Sequence, residues 1–126
     1  LTSDNPHFKV INGLLISSDG TLISCCSEDT YIHIPNSVTQ IGDSSFSECE
    51  ILQDIHIPNS VAHIGRDAFW CCSSLQNIHI PNSVTYIGDS AFSCCNALQT
   101  IHIPKGSMAK FMRLLPEEFH DKLVEI

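Results

Sequence analysis

The chain has 126 residues, of which 43% are hydrophobic and 16% charged, so it has the length of one folded domain and is too apolar for a disordered chain. Its formal net charge is −8 with only six lysines and arginines, and we therefore expect no nucleic-acid partner. No apolar run reaches the roughly 18 residues that a membrane-spanning helix needs. The sequence predicts a single acidic domain over residues 1–126.

The N-terminal segment, residues 1–31, contains two apolar runs around a turn. Residues 14–16 and 21–23 are rich in leucine and isoleucine, and Ser18-Asp19-Gly20 lies between them. Two apolar runs joined by a short polar turn containing glycine are typical of an antiparallel hairpin. We expect this hairpin to form an N-terminal cap.

From Ile32 onward the sequence repeats every 23 residues. The tetrapeptide I-H-I-P begins at positions 32, 55, 78 and 101, and the complete units are 32–54, 55–77 and 78–100. Units 55–77 and 78–100 match at 15 of 23 positions, and units 32–54 and 78–100 match at 17. Such a period, with regularly placed Ile, Val, Leu and Phe, is typical of a leucine-rich-repeat solenoid.

Each unit divides into a strand and a return path. The alternation Ile-His-Ile predicts a short strand with an outward histidine, and the following proline ends that strand. The glycines at 42, 65 and 88 predict either a positive φ or a close backbone approach. Asp43 and Asp89 are expected to cap a short helical turn on the opposite side. The predicted fold is an α/β repeat with a parallel sheet on the concave face and short helical turns behind it.

The segment 101–126 is expected to contain a final strand and a helical C-terminal cap. Met108, Phe111, Met112 and Leu115 have helical spacing, and Ser107 precedes them as a helix N-cap. Adding 23 to position 101 gives position 124, which predicts that residues 124–126 form one more strand of the same sheet.

The shared template I-x-I-P-x-x-V-x-x-I-G-x-x-A-F-x-x-C, matched tightly over residues 32–104, resembles the BspA-like family of bacterial leucine-rich-repeat surface proteins. The residues Asn5-Pro6-His7-Phe8 and the two apolar runs after them also resemble the N-terminal hairpin of that family. The resemblance implies an extracellular or cell-surface location and an adhesin-like role, with a host extracellular or cell-surface protein as partner.

The outward strand position defines a candidate binding column: His33, His56, His79, His102 and, if the same register continues, Glu125. Stacked imidazolium charges repel, so we predict pKa values below about 6.5 for His56 and His79, and a raised pKa for His102 beside Glu125. A straight column offers two nitrogens to each metal ion and hinders a third ligand. We therefore assign no metal and no cofactor, and keep a histidine-ladder metal-binding protein as a minor alternative.

Cysteines form further columns on the other side of each unit. Cys49, Cys72 and Cys95 are predicted to be small buried residues, and Cys71 and Cys94 to be less buried. The sequence leaves open whether Cys71 and Cys94 lie within disulfide distance. We expect all seven thiols to be reduced. Trp70 and Tyr86 are candidate contact residues, although packing against Arg66 or a neighbouring unit is the favoured explanation for Trp70.

No nucleophile elbow, phosphate-binding loop or zinc-protease motif occurs in the sequence. We therefore predict that the chain is not an enzyme but a noncatalytic protein–protein interaction module. The alternative is a structural spacer within a longer repeat array, which a histidine face without variation among its side chains would favour.

Overall fold

A computed structural model describes residues 7–126 of the chain. Asn5 and Pro6, which were assigned to the N-terminal hairpin, lie outside the described residues. In chain order the elements are β1 (Phe8–Ile11), β2 (Leu14–Ser17), β3 (Thr21–Cys25), β4 (Tyr31–His33), β5 (Gln40–Ile41), β6 (Asp54–His56), β7 (His63–Ile64), β8 (Asn77–His79), β9 (Tyr86–Ile87), β10 (Thr100–Ile103), α1 (Met108–Leu114), a 3-10 helix (Glu117–Lys122) and β11 (Leu123–Glu125).

The predicted parallel sheet is confirmed, and we call it the front sheet. Its strand order is β11-β10-β8-β6-β4, and every neighbouring pair is parallel. Ile32 lies opposite Ile55, which lies opposite Ile78, so equivalent residues of successive 23-residue coils are in register. The isoleucines point inward and are buried, whereas the histidines between them point outward.

A second sheet, which the sequence analysis did not predict, lies on the return path of each coil and is called the back sheet. Its order is β1-β2-β3-β5-β7-β9, with antiparallel pairing among the first three strands and parallel pairing among the others. The strands β2 and β3 flank the Ser-Asp-Gly turn, as the sequence predicted. The N-terminal hairpin thus continues into the back sheet.

The short helical turns predicted beside these sheets are wrong. Residues 43–48 and their equivalents form consecutive hydrogen-bonded turns, with left-handed backbone at Ser44, Asp67 and Ser90 and again four residues further on. Alternate amides reach the next coil: the Phe46 amide donates to the Ala68 carbonyl at 2.7 Å. Amides that donate to the next coil are not available for the hydrogen bonds within a helix. We call this third side of each coil the turn side.

Glycine is required where the back sheet meets the turn side. A Cβ placed on Gly65 would lie 2.5 Å from Asp43 Oδ1 and 2.7 Å from the Asp43 nitrogen, so the backbones of adjacent coils approach too closely for a side chain. The close approach is therefore confirmed, whereas the positive φ lies two residues later, at Asp67. The Asp43 carboxylate accepts a hydrogen bond from the Arg66 amide at 2.8 Å, so it links two coils instead of capping its own turn.

Stacked phenylalanines fill the core behind the turn side. The rings of Phe46 and Phe69 have centroids 5.0 Å apart with an interplanar angle of 5°, and those of Phe69 and Phe92 are 5.4 Å apart at 6°. Phe119 of the 3-10 helix contacts Phe92 edge-on at 6.2 Å. No helix within residues 7–126 has both the length and the apolar character needed to cross a membrane.

Candidate functional site: the outer face of the front sheet

The four histidines lie at equivalent positions on β4, β6, β8 and β10. Parallel pairing places His33 opposite His56, His56 opposite His79 and His79 opposite His102. The ring centroids of His56 and His79 are 3.6 Å apart with an interplanar angle of 20°, and those of His79 and His102 are 4.2 Å apart at 23°. The fixed spacing of the strands brings these outward rings into a stack.

The position of the central ring lowers its pKa. Partial burial, together with the charges of His56 and His102 on either side, lowers the pKa of His79 below its ordinary value of 6.5, and Asp54 opposes this shift. The lowered pKa predicted for His79 is therefore confirmed. Neutral imidazole retains a lone pair on one ring nitrogen and can act as a metal ligand or hydrogen-bond acceptor.

Glu125 does not belong to this column, and its predicted position is wrong. The pairing of β10 with β11 places Val124 opposite His102 and Glu125 opposite Ile103, one residue away from the register expected from the 23-residue period. The helical segment between these strands replaces the ordinary coil, so the period does not hold across it. The predicted effect of Glu125 on His102 therefore loses its structural basis.

Glu125 instead caps the helix α1. Its Oε2 accepts hydrogen bonds from the amides of Gly106 and Met108, both at 3.0 Å. Ser107 occupies the predicted N-cap position, but its hydroxyl donates to the Pro104 carbonyl and makes no capping hydrogen bond. A carboxylate at a helix N-terminus satisfies amides that have no partner within the helix.

A second column on the same face was missed by the sequence analysis. Two residues before each histidine, the strands carry Tyr31, Asp54, Asn77 and Thr100 in register. Residues two apart on a strand share a face, so this column was detectable from the sequence. It was overlooked because the repeat template begins at the isoleucine and leaves this position undefined.

This second column supplies a different chemical group at each level. The Tyr31 ring contacts the His56 ring edge-on at 5.8 Å. The Asp54 carboxylate lies 4.0 Å from His56 Nε2. One ligand atom each from Asp54, His56 and His79 lies within 4.8 Å of the other two. The sequence analysis considered only ligands within the histidine column, whereas this third group comes from the neighbouring column.

Trp70 and Tyr86 lie away from the histidine face. Tyr86 is on β9 of the back sheet, where it is 54% exposed and contacts His63 edge-on at 5.8 Å. Trp70 is on the turn side and is 37% exposed, and its carbonyl accepts a hydrogen bond from the Glu48 amide at 2.7 Å. The structure therefore distributes the predicted contact residues over three sides of the molecule.

Five of the cysteines lie at equivalent positions of successive coils and differ in burial. Cys72 and Cys95 are buried and Cys49 is partly buried, whereas Cys71 is partly exposed and Cys94 is exposed. The Cys72 thiol donates to the Phe46 carbonyl, and the Cys95 thiol to the Phe69 carbonyl, both at 3.0 Å. All seven cysteines are free thiols in the structure.

Two thiols have pKa values shifted by a neighbouring thiol. A hydrogen bond with Cys49 lowers the pKa of Cys25 to about 7. A hydrogen bond with Cys94 raises the pKa of Cys71 to about 11. Cys25, the inward residue of the hairpin pair Cys25–Cys26, packs against the core. These sulfur contacts belong to the packing between coils and not to the histidine face.

Comparisons with known proteins agree with the repeat. A family model described as a BspA type leucine rich repeat region of six copies matches residues 21–112. No curated protein matches the chain significantly.

Among solved structures, a leucine-rich repeat protein from Eubacterium ventriosum is 29% identical with a TM-score of 0.75, over 83% of this chain and 29% of its own length. One from Bacteroides ovatus is 29% identical with a TM-score of 0.58, over 82% of this chain and 31% of its own. One from Bacteroides capillosus is 25% identical with a TM-score of 0.55, over 77% of this chain and 98% of its own. This chain thus spans less than a third of the first two proteins.

Proposed function

Because this chain belongs to the BspA-type leucine-rich-repeat family, we propose that it is a noncatalytic protein-interaction module of a bacterial surface or exported protein. Leucine-rich-repeat domains in general bind proteins and are not catalytic. Residues 1–126 would act as one domain, in which 1–31 and 101–126 cap the three complete repeats. An adhesin-like role toward a host extracellular or cell-surface protein is the specific form of this proposal.

The variable column of the front sheet carries the proposal. The histidine column is the same in four coils, but the neighbouring column presents a phenol, a carboxylate, an amide and a hydroxyl in order. A partner that contacts this face would therefore find evenly spaced strands, each with a different side chain in the variable column. The variation also argues against the spacer alternative, which assumed a face of repeated histidine alone.

The exposed aromatic residues of the two sheets allow a matched test. Tyr31 is 46% exposed on the front sheet and Tyr86 is 54% exposed on the back sheet, and each contacts one histidine ring edge-on at 5.8 Å. Truncating Tyr31 and truncating Tyr86 should therefore perturb folding to a similar extent. Only Tyr31 lies on the proposed binding face.

The experiment measures binding of the full chain to immobilised extracellular-matrix and cell-surface proteins by surface plasmon resonance. We expect Tyr31→Ser to weaken binding by about tenfold, the size of a single interface aromatic contact, and Tyr86→Ser to leave it unchanged. Equal losses in the two variants would contradict the assignment of the front face. Failure to bind any protein of the panel would favour the spacer.

A further inference from the structure

The front face brings two imidazoles and a carboxylate together, and we propose that Asp54, His56 and His79 form a Zn²⁺ site. The two rings have centroids 3.6 Å apart, and Asp54 Oδ1 lies 4.0 Å from His56 Nε2. All three ligand atoms lie within 4.8 Å of one another. Two histidines and one carboxylate are a ligand set that Zn²⁺ takes in proteins, with the fourth position left to water.

The Asp54 carboxylate supplies a second, independent observation. Its Oδ1 atom is shielded from solvent, yet among the described residues no group donates a hydrogen bond to it. A buried carboxylate oxygen without a donor or a cation is unfavourable. A cation between Asp54 and the two rings would satisfy this oxygen.

Binding requires a modest adjustment of side chains. Ligand atoms about 2.1 Å from a tetrahedral ion are about 3.4 Å apart. The three ligand atoms, which are up to 4.8 Å apart, must therefore approach by as much as about 1.4 Å, and the stacked rings must tilt to direct their lone pairs at one point. The side chains of His56 and Asp54 are 49% and 38% exposed, which leaves room for these rotations.

The site exists at only one level of the front sheet. In the column that contains Asp54, the coils before and after it present Tyr31, Asn77 and Thr100, which lack a carboxylate. We therefore expect one Zn²⁺ per chain from this site, although the histidines repeat in four coils.

The first experiment is isothermal titration of the full, EDTA-treated chain with ZnCl₂. We expect Asp54→Asn to weaken binding at this site by at least about tenfold, since even the loss of a group that supports a ligand has that effect. Asp54→Asn should fold normally, because Asn77 occupies the same position in the next coil. His63→Ala, which removes an exposed histidine from the back sheet, is the control and should bind as the unmodified chain does.

Free thiols also bind Zn²⁺, so a second readout separates the two kinds of site. In ¹H–¹³C NMR spectra we expect Zn²⁺ to shift the ring signals of His56 and His79 and to leave those of His33 and His63 in place. The site is refuted if the His56 and His79 signals do not respond. It is also refuted if Asp54→Asn binds as tightly as the unmodified chain, or if His63→Ala weakens binding equally.

A rescue variant tests the geometry directly. The double variant Asp54→Asn/Asn77→Asp moves the carboxylate one coil along, beside His79 and His102, whose centroids are 4.2 Å apart. We expect this variant to regain binding and to shift the signals of His79 and His102 in place of His56. Failure to regain binding would contradict the three-ligand geometry, because the same groups are present at the same register.

Discussion

The front and back sheets are made by the same coils, yet the front sheet varies in its outward side chains whereas the back sheet is constrained by close backbone packing. The front strands have three or four residues, and their outer face pairs a constant histidine column with a column that varies at every level. The parallel back strands that follow the hairpin have only two residues and lead into the glycines where adjacent coils approach most closely. A repeat protein can therefore vary one position of its unit while neighbouring positions stay fixed by backbone packing.

The largest effect should come from the back-sheet side. In Gly65→Ala, the added methyl group would lie 2.5–2.8 Å from atoms of Asp43 and Gly42, and we expect a loss of about 3 kcal/mol in the free energy of unfolding. Gly106→Ala is the comparison, because it has a positive φ of 88° but no atom within 4 Å. This control should lose about 1 kcal/mol, measured by urea denaturation. Equal losses would mean that close packing of coils is not what requires glycine.

A smaller effect is expected at the end of the front sheet. Glu125→Ala removes the acceptor for the amides of Gly106 and Met108, so we expect a loss of about 1 kcal/mol. Urea denaturation of this variant and of Val124→Ala, which alters the neighbouring exposed residue of β11, measures the difference. If Glu125→Ala left stability unchanged, the capping contacts of Glu125 would be contradicted.

The smallest effect is a pH dependence on the front face. Burial and the neighbouring imidazoles lower the pKa of His79, so the unfolded chain binds a proton more readily than the folded chain. The contribution of His79 to stability is therefore present above pH 6.5 and decreases as the pH falls below that value. NMR titration in EDTA should give a His79 pKa below 6.5, and His102→Ala should raise it by removing one neighbouring charge and exposing the ring. An ordinary pKa in both proteins would contradict the stack.

The fold was largely predictable because residues that are 23 positions apart in the sequence occupy equivalent positions in successive coils. Parallel pairing confirms the column that contains Ile32, Ile55 and Ile78, and the N-terminal turn lies where its Ser-Asp-Gly sequence predicted. The helical turns were wrong because alternate amides of residues 43–48 donate to the next coil, which a single unit does not reveal. The position of Glu125 was wrong because a helix replaced the return path before β11.

The candidate site was only half predictable. The histidine position is identical in every unit and is therefore easy to recognise in the sequence. The position of Asp54 differs from unit to unit, so the repeat does not reveal it. The approach of the Asp54 carboxylate to two rings depends on strand register and side-chain direction together. Conversely, Tyr86 and Trp70 are conspicuous in the sequence, but the structure places them on other sides of the coil.

Hydrogen bonding from coil to coil on three sides makes the 23-residue unit a modular increment of length. A coil inserted or deleted between the two ends leaves the local surroundings of the hairpin and of α1 as they are, because each interior coil meets only its two neighbours. Gene duplication could thus lengthen this scaffold by about 4.8 Å at a time. Every added coil would place another histidine on the front sheet and one more freely chosen side chain in the variable column beside it.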